Sequence, residues 1–394
     1  MANPTSPPVK RPPLLQRIRK VHIAYAALAL LLVAILGVFS TRALMPAKPL
    51  WVGETITTPV STPSALPSAP PSGTSETITL GAVGDIIMGD APGSMPANDG
   101  RGFFDKVKSL FAVDFMMGNM EEPITEDTGF IKCRPEQTGC HQFRVPTSYA
   151  AHLRDAGFHL LNQANNHGYD YGPAGYTNTQ KALTNAGLKY TGPRNYVAVA
   201  EVKGVKVAVV GFSSYDRDNS LLNYTQAKSV VQKASAMADL VVIQVHWGAE
   251  GSGMTHVKPG TEMFLGENRG DPMAFSRAVI DAGADLIIGH GPHTLRGLEL
   301  YKGRLIAYSL GNFAGGKGLK GDGNLGWGAV LHATVKPDGS FVSGRFNSTY
   351  FVTSPGVPNP DGQSRGLGLV RDLTKADFPN TGPAISSDGV ISLH

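Results

Sequence analysis

The sequence predicts an α/β fold, and three observations carry that expectation. From residue 77 to about residue 326, apolar runs of strand length alternate with segments of helical length. Glycine closes several of the helical segments, and short polar clusters follow the strand-like runs. Hydrophobic residues make up 42% of the 394 residues and charged residues 17%, which supports a sizeable core. Such βα alternation places helices over the faces of a sheet.

The elements follow in order. "ITLGAVGDIIMGD" starts the fold near Thr77 as a strand broken at Gly84-Asp85. "VDFMMGN" reads as a strand, "PTSYAAHLRDAG" as a helix stopped by Gly157, and "FHLLNQANN" as a strand entering a loop. "AGYTNTQKALTNAG" is helical, "GVKVAVVGFS" a strand, "LLNYTQAKSVVQKASAMA" a helix and "DLVVIQVHWG" a strand. "DPMAFSRAVIDAG" is a helix, and "ADLIIGHGPH" and "GRLIAYSLGNF" are strands. After Gly326 the pattern changes to a β-hairpin around Pro337-Asp338-Gly339 without helices. The last forty residues, rich in Pro and Gly, show no clear element.

The first 76 residues stand apart. Residues 1–21 are a basic tail with Lys10, Arg11, Arg17, Arg19 and Lys20. Residues 22–44 hold an apolar run from Ile23 to Phe39, at the short end of what spans a bilayer. The basic flank places the tail in the cytoplasm and the rest of the chain outside. A cleaved signal peptide is the rival reading, although no clear cleavage site follows the run. Residues 45–76, rich in Pro, Ser and Thr, are expected to be a flexible spacer. Residues 77–394 form the folded domain.

Formal net charge is +4, and much of that excess sits in the first twenty residues. The remainder lacks the basic stripe of a nucleic-acid binder. The two cysteines, Cys133 and Cys140, are expected to form a small-loop disulfide in an exported protein; two unpaired thiols are the alternative.

The polar clusters at the strand ends carry the chemistry. Asp85 follows Gly84. Asn119 and Glu121 follow "DFMM", and Asn166 and His167 follow "LLNQA". His246 and Trp247 follow "VVIQV", His290 and His293 follow "DLII", and Asn312 follows "LIAYSLG". Each alone fits a turn or a hydrogen-bonded structural residue. Together, on parallel strands, they would converge in one crevice. The donors are nitrogen and oxygen without sulfur, which suits Zn, Mn or Fe. Trp247 is a candidate to stack on a ligand, although a Trp at a strand end is more often a core lid. Lys317, in the glycine-rich "GGKGLKGDGNLG", is a candidate for an anionic ligand, although the loop lacks the phosphate-loop pattern. The other histidines (141, 152, 159, 256, 332 and 394) read as surface or structural.

The order Gly-Asp, Gly-Asn-x-Glu, Asn-Asn-His, His-Trp-Gly, Gly-His-x-Pro-His and Ser-Leu-Gly-Asn-Phe, from about Ile78 to about Val352, resembles the CapA family of poly-γ-glutamate capsule synthesis proteins. The resemblance implies a calcineurin-like metallophosphoesterase fold, a four-layer αββα sandwich. It implies that Asp85, Asn119, Glu121, Asn166, His246, His290 and His293 serve a site for one or two divalent ions. It gives His167 the role of general acid; Trp247, Asn312 and Lys317 are the candidates for substrate contact read from the sequence itself. Two departures matter. The wider superfamily has Asp-x-His in its first motif, where this chain has Asp85-Ile86-Ile87. Asn119 stands where the superfamily has aspartate, and an amide cannot bridge two cations as a carboxylate does. Two readings follow. One is a membrane-anchored metal-dependent hydrolase or transferase acting in synthesis, export or retention of an anionic capsule polymer. The other is a non-catalytic polymer-binding assembly subunit with a degenerate metal site. Either implies partners among membrane synthase or export subunits.

Overall fold

The computed structural model describes residues 77–134, 136–316, 318–354 and 356–393. The expected tail, membrane anchor and spacer over residues 1–76 lie outside the described residues, as do Lys317 and His394. No described helix is long and apolar enough to cross a membrane.

The chain begins with β1 (Ile78–Ile86), β2 (Phe115–Met120), α1 (Ala150–Ala156) and β3 (Leu160–Asn162). Then come α2 (Gly172–Asn185), β4 (Lys189–Thr191), β5 (Ala198–Val202), β6 (Val205–Ser213), α3 (Tyr224–Ser235) and β7 (Leu240–His246). After α4 (Pro272–Ile280) follow β8 (Leu286–His290), β9 (Leu298–Tyr301), β10 (Arg304–Ala307) and β11 (Asn312–Ala314). The chain closes with β12 (Trp327–Val335), β13 (Phe341–Tyr350), α5 (Arg365–Asp377) and β14 (Val390–Ser392). Local signals account for several ends. Gly157, at φ 110°, stops α1. The Asp271 carboxylate caps α4 by accepting from Ala274 N, and Pro272 follows at the first turn.

Two sheets carry these strands. The first runs β14-β13-β12-β1-β2-β3-β4, with β11 pairing beside the end of β1. Its β1, β2, β3 and β4 are parallel, while β12 and β13 form the expected antiparallel hairpin. The second runs β9-β10-β8-β7-β6-β5, with β6, β7, β8 and β10 parallel.

The side-chain period of two sorts each strand's residues between faces. Leu80, Ala82, Met117 and Leu160 of one sheet pack against Val207, Val209, Val242 and Ile288 of the other. The opposite face of the first sheet, with Val83, Met116 and Leu161, is covered by Leu153 of α1 and Leu183 of α2. The opposite face of the second, with Ala208, Val241 and Ile243, is covered by Val230 of α3 and Phe275 of α4. The result is a mixed α/β sandwich of four layers: helices, sheet, sheet, helices.

Two expectations are corrected. "GRLIAYSLGNF" is not one strand: it breaks after Ala307, where the chain leaves the second sheet, and resumes as β11 in the first. The last forty residues are not featureless, because α5 buries Leu367, Val370 and Leu373 against β13, β12 and β9. That spacing of three is helical, but Gly366, Gly368 and the flanking prolines mask it in the sequence. Cys133 and Cys140 form the expected disulfide.

Candidate functional site

Strand register gathers the polar clusters. Asp85 of β1 lies beside Asn119 of β2 on one side and Asn312 of β11 on the other. His246 of β7 lies beside His290 of β8. Asp85 and Asn119 lie at the ends of two parallel strands of one sheet, where Asn312 opens β11, and the two histidines end two strands of the other. The close approach of β11 requires Gly84, where a Cβ would sit 1.9 Å from Gly311 O.

A centre of two carboxylates and three imidazoles results. Asp85 Oδ2 is 3.1 Å from His293 Nδ1, and Asp85 Oδ1 is 3.5 Å from His290 Nδ1. Glu121 Oε1 is 3.1 Å from His246 Nε2 and 3.5 Å from His293 Nε2. Asp85, Glu121 and His293 each offer a donor atom within 4.8 Å of the others. Asp85, Glu121, His246 and His290 are buried, and His293 is largely so. His293 adopts φ 58°, a left-handed conformation that costs most residues energy but that His visits more readily. The turn Gly291-Pro292 before it leaves no room for a side chain at Gly291, whose Cβ would lie 2.6 Å from Trp247 O.

The electrostatics follow from this burial. Burial works against the charge of Asp85, but His290 and His293 beside it outweigh that and hold it well below the usual carboxylate range. Burial and the nearby Asp85 push Glu121 well up. Burial disfavours a charged His293 too, yet Glu121, Asp85 and Glu250 outweigh it and hold the ring protonated. His246 is pushed well down by burial. The cation that balances this acidic centre is therefore His293.

Asn119 has a different place from the carboxylates. Its Oδ1 accepts from Asn162 Nδ2 (2.9 Å) and Asn165 Nδ2 (3.1 Å). Its Nδ2 donates to Asp85 Oδ1 (2.8 Å) and reaches Glu121 Oε2 at 3.5 Å. The amide thus orients both carboxylates, with its oxygen turned away from them. Asn312 Oδ1 accepts from His293 Nδ1 at 2.8 Å. Asn166 is half-buried, and its Oδ1 has no hydrogen-bond partner among the described residues.

His167 Nδ1 lies 2.8 Å from the buried Asp170 Oδ2, and its ring packs 4.8 Å from that of Phe143. Burial pushes His167 down despite Asp170, so the ring is neutral near pH 7. With Nδ1–H donated to Asp170, Nε2 is the proton-accepting atom.

Trp247 corrects the expectation of a ligand-stacking ring. Alternation along β7 puts Gln244 and His246 on the crevice side and Trp247 on the other. There its ring is wholly buried against Phe275 and Tyr308, and Nε1 donates to Tyr308 O at 2.9 Å. The remaining described histidines are structural or exposed. His159 accepts from Met116 N, His332 Nε2 reaches Leu110 O, His152 Nε2 reaches Asp99 O, and His256 pairs with Asp377. His141 stacks on Phe143.

Three site residues escaped the sequence reading. Gln244 Oε1 is 2.6 Å from His290 Nε2 and fixes that ring; a glutamine inside "VVIQVH" was the available signal. Glu250 Oε2 reaches His293 Nε2 at 3.6 Å, two residues beyond His-Trp-Gly. Asp170 lies three residues after His167, where only the fold reveals the contact.

Asp218 lies in the loop after β6, next to Arg217. It is buried, accepting from Tyr176 Oη (3.0 Å) and Ser213 Oγ (2.7 Å), and burial pushes it from 3.8 up to about 7. A raised folded value gives stability that is full below the unfolded value, near pH 4, and is lost as pH rises through 7. The loss from this group is on the order of 4 kcal/mol. Asp218→Asn is expected to flatten the fall in stability between pH 4 and 8, followed by urea unfolding; a slope equal to wild type contradicts this.

Sequence comparisons agree with the site's motifs. The family model "Bacterial capsule synthesis protein PGA_cap" matches residues 79–317, and the chain belongs to that family. Among its relatives is the PGA biosynthesis protein CapA of Bacillus subtilis (strain 168), 28% identical over 328 residues, 76% of this chain and 78% of that one. The capsule biosynthesis protein CapA of Bacillus anthracis is 29% identical over 325 residues, 76% and 70% of the two chains. A probable polyglutamine synthesis accessory protein of Mycobacterium tuberculosis is 28% identical over 228 residues, 51% and 55%. Among solved structures, a 5'-nucleotidase precursor from Thermus thermophilus aligns with TM-score 0.40 and 14% identity, over 76% of this chain and 59% of that one.

Proposed function

We propose that the crevice holds a divalent metal ion and uses it on an anionic capsule polymer of the poly-γ-glutamate type, outside the cell membrane. One observation carries the metal: two buried carboxylates, Asp85 and Glu121, converge with His293 and face His246 and His290, with no lysine or arginine among them. Buried like charges need cationic balance, which His293 gives when protonated and a metal ion would give with that ring neutral and ligating. His290 Nδ1, without a hydrogen-bond partner among the described residues and 3.5 Å from Asp85 Oδ1, adds a nitrogen suited to such an ion. Zn, Mn and Fe all fit a set of nitrogen and oxygen. Asp85, Glu121 and His293 would hold the ion, with His290 and His246 beside it. When bound, it supplies Lewis-acid polarisation of an oxygen and a more acidic water. Asn119 keeps both carboxylates aimed, and His167 would accept a proton at Nε2 while Asp170 holds Nδ1. Donating one there first requires protonation of Nε2.

The polymer reading rests on the capsule and PGA biosynthesis named for the relatives and on the family. The exported location rests on the basic and apolar N-terminal segments and on the Cys133–Cys140 disulfide, a bond suited to oxidising compartments. Membrane synthase or export subunits are the partners this location suits.

A second reading is favoured by Asn119. Its amide oxygen is committed to Asn162 and Asn165, so one bridging ligand of a two-ion site is missing. A one-ion cradle that binds polymer without cleaving it suits that geometry. Incubating the full-length chain in mild detergent with poly-γ-glutamate, metal-loaded and chelated, separates the outcomes. Metal-dependent binding is expected, and shortening of the polymer assigns hydrolysis. Binding that is equal with and without chelator contradicts the proposal.

A further inference from the structure

Arg217 is held against the turn that carries His167. Its Nη2 donates to Asn165 O at 2.9 Å and reaches Asn166 O at 3.4 Å. Its guanidinium lies between two aromatic rings, 4.2 Å from the centroid of Tyr215 and 4.8 Å from that of Tyr169. The side chain is 23% exposed, so part of this fork faces solvent. Its nearest carboxylate among the described residues is Asp218, 4.0 Å away, and Nε is buried without a hydrogen-bond partner. At the same turn, Lys132 Nζ lies 3.5 Å from His167 Nδ1 and pairs with Asp170. Lys132 immediately precedes the disulfide-closed loop from Cys133 to Cys140.

An arginine can be neutralised by a carboxylate close by. Arg296 shows this, with both Glu262 oxygens within 2.9 Å. Arg217 is instead fixed by carbonyls and rings, which orient a guanidinium without neutralising it. A cation fixed in advance loses little side-chain entropy when it takes up an anion, and its planar fork matches a carboxylate. The acidic centre at Asp85 and Glu121 would repel a polyanion unless positive groups flank the approach. Arg217 lies at the His167 turn, as does Lys132, which is already paired with Asp170.

We infer that Arg217 is the polymer-reading residue of the crevice: it receives a carboxylate of an extended polyanion beside the His167 turn, with Lys132 as a weaker second contact. This inference rests on the reading of the crevice as the polymer site.

The test uses the full-length chain in mild detergent, a fluorescent poly-γ-glutamate oligomer, and the same oligomer with its carboxyls amidated. Metal content is measured in parallel for wild type, Arg217→Met and Arg217→Lys. Wild type is expected to prefer the charged oligomer. R217M is expected to weaken that binding by about tenfold or more, with metal content unchanged and the amidated oligomer unaffected. R217K, which keeps charge without the fork, falls between; it also decides the matter if R217M does not fold, since charged-oligomer binding equal to wild type in R217K then overturns the inference. Charged-oligomer binding by R217M equal to wild type overturns it and leaves the site reading standing. Loss of metal together with polymer in R217M assigns a structural role and overturns it as well. Failure of wild type to bind the charged oligomer overturns the polymer reading and this inference with it.

Discussion

Arg296→Ala is expected to destabilise the protein by about 3–5 kcal/mol, read from the urea midpoint. Arg296 is wholly buried in the segment between β8 and β9, three residues after His293. Its Nη1 and Nη2 donate to Glu262 Oε1 and Oε2 at 2.9 and 2.8 Å, and Nε donates to Met254 O at 2.8 Å. Glu262 in turn accepts from Ala249 N at 2.7 Å. Truncation therefore leaves a carboxylate without its cation and a carbonyl without its donor, and it opens a cavity. The same pair ties the segment from Met254 to Glu262 to the loop bearing His293 and to the start of Glu250's turn. The double variant Arg296→Met, Glu262→Gln is expected to recover part of the loss, because it removes the stranded charge. A loss below about 1 kcal/mol for Arg296→Ala would show that the pair does not hold this segment.

The layout of the strands was legible because apolar runs of four to eight residues, bounded by glycine and polar clusters, have few alternatives in an α/β chain. The convergence of Asp85, Glu121, His246, His290 and His293 was legible for a topological reason: parallel strands of one sandwich end on one side. What stayed hidden depends on direction and on distance along the chain. Trp247 follows His246 by one residue, and the period of two turns it to the helix-covered face; Gln244, two residues before His246, shares the crevice face for the same reason. Asn119 was legible as a member of the centre, but the sequence could not show that Asn162 and Asn165 claim its oxygen and leave it a donor to the carboxylates. Asp170, Arg217 and Arg296 are charged residues in loops, where most such residues are solvated, and only tertiary contacts distinguish them. Helix α5 was missed because two glycines lower its helical propensity, and packing on the hairpin overrides that.

Asp85→Ala is expected to have the largest effect on the site, lowering affinity for a divalent ion on the order of 100-fold or more, since disturbing even the residues behind metal ligands costs 10–100-fold. Asp85 links both halves of the centre. It meets His293 and His290 from the second sheet's loop and strand, accepts from Asn119 of the first sheet, and lies 3.4 Å from Gly291 N. Without it, Glu121 is the one buried carboxylate left beside His246 and His293, and the reason for a cation weakens. Elemental mass spectrometry of the full-length chain, wild type beside Asp85→Ala, tests this most directly. The account predicts about one or two transition-metal ions per wild-type chain and their near-complete loss in the variant. Wild-type protein purified without chelator and free of metal, or equal metal in both proteins, would contradict it.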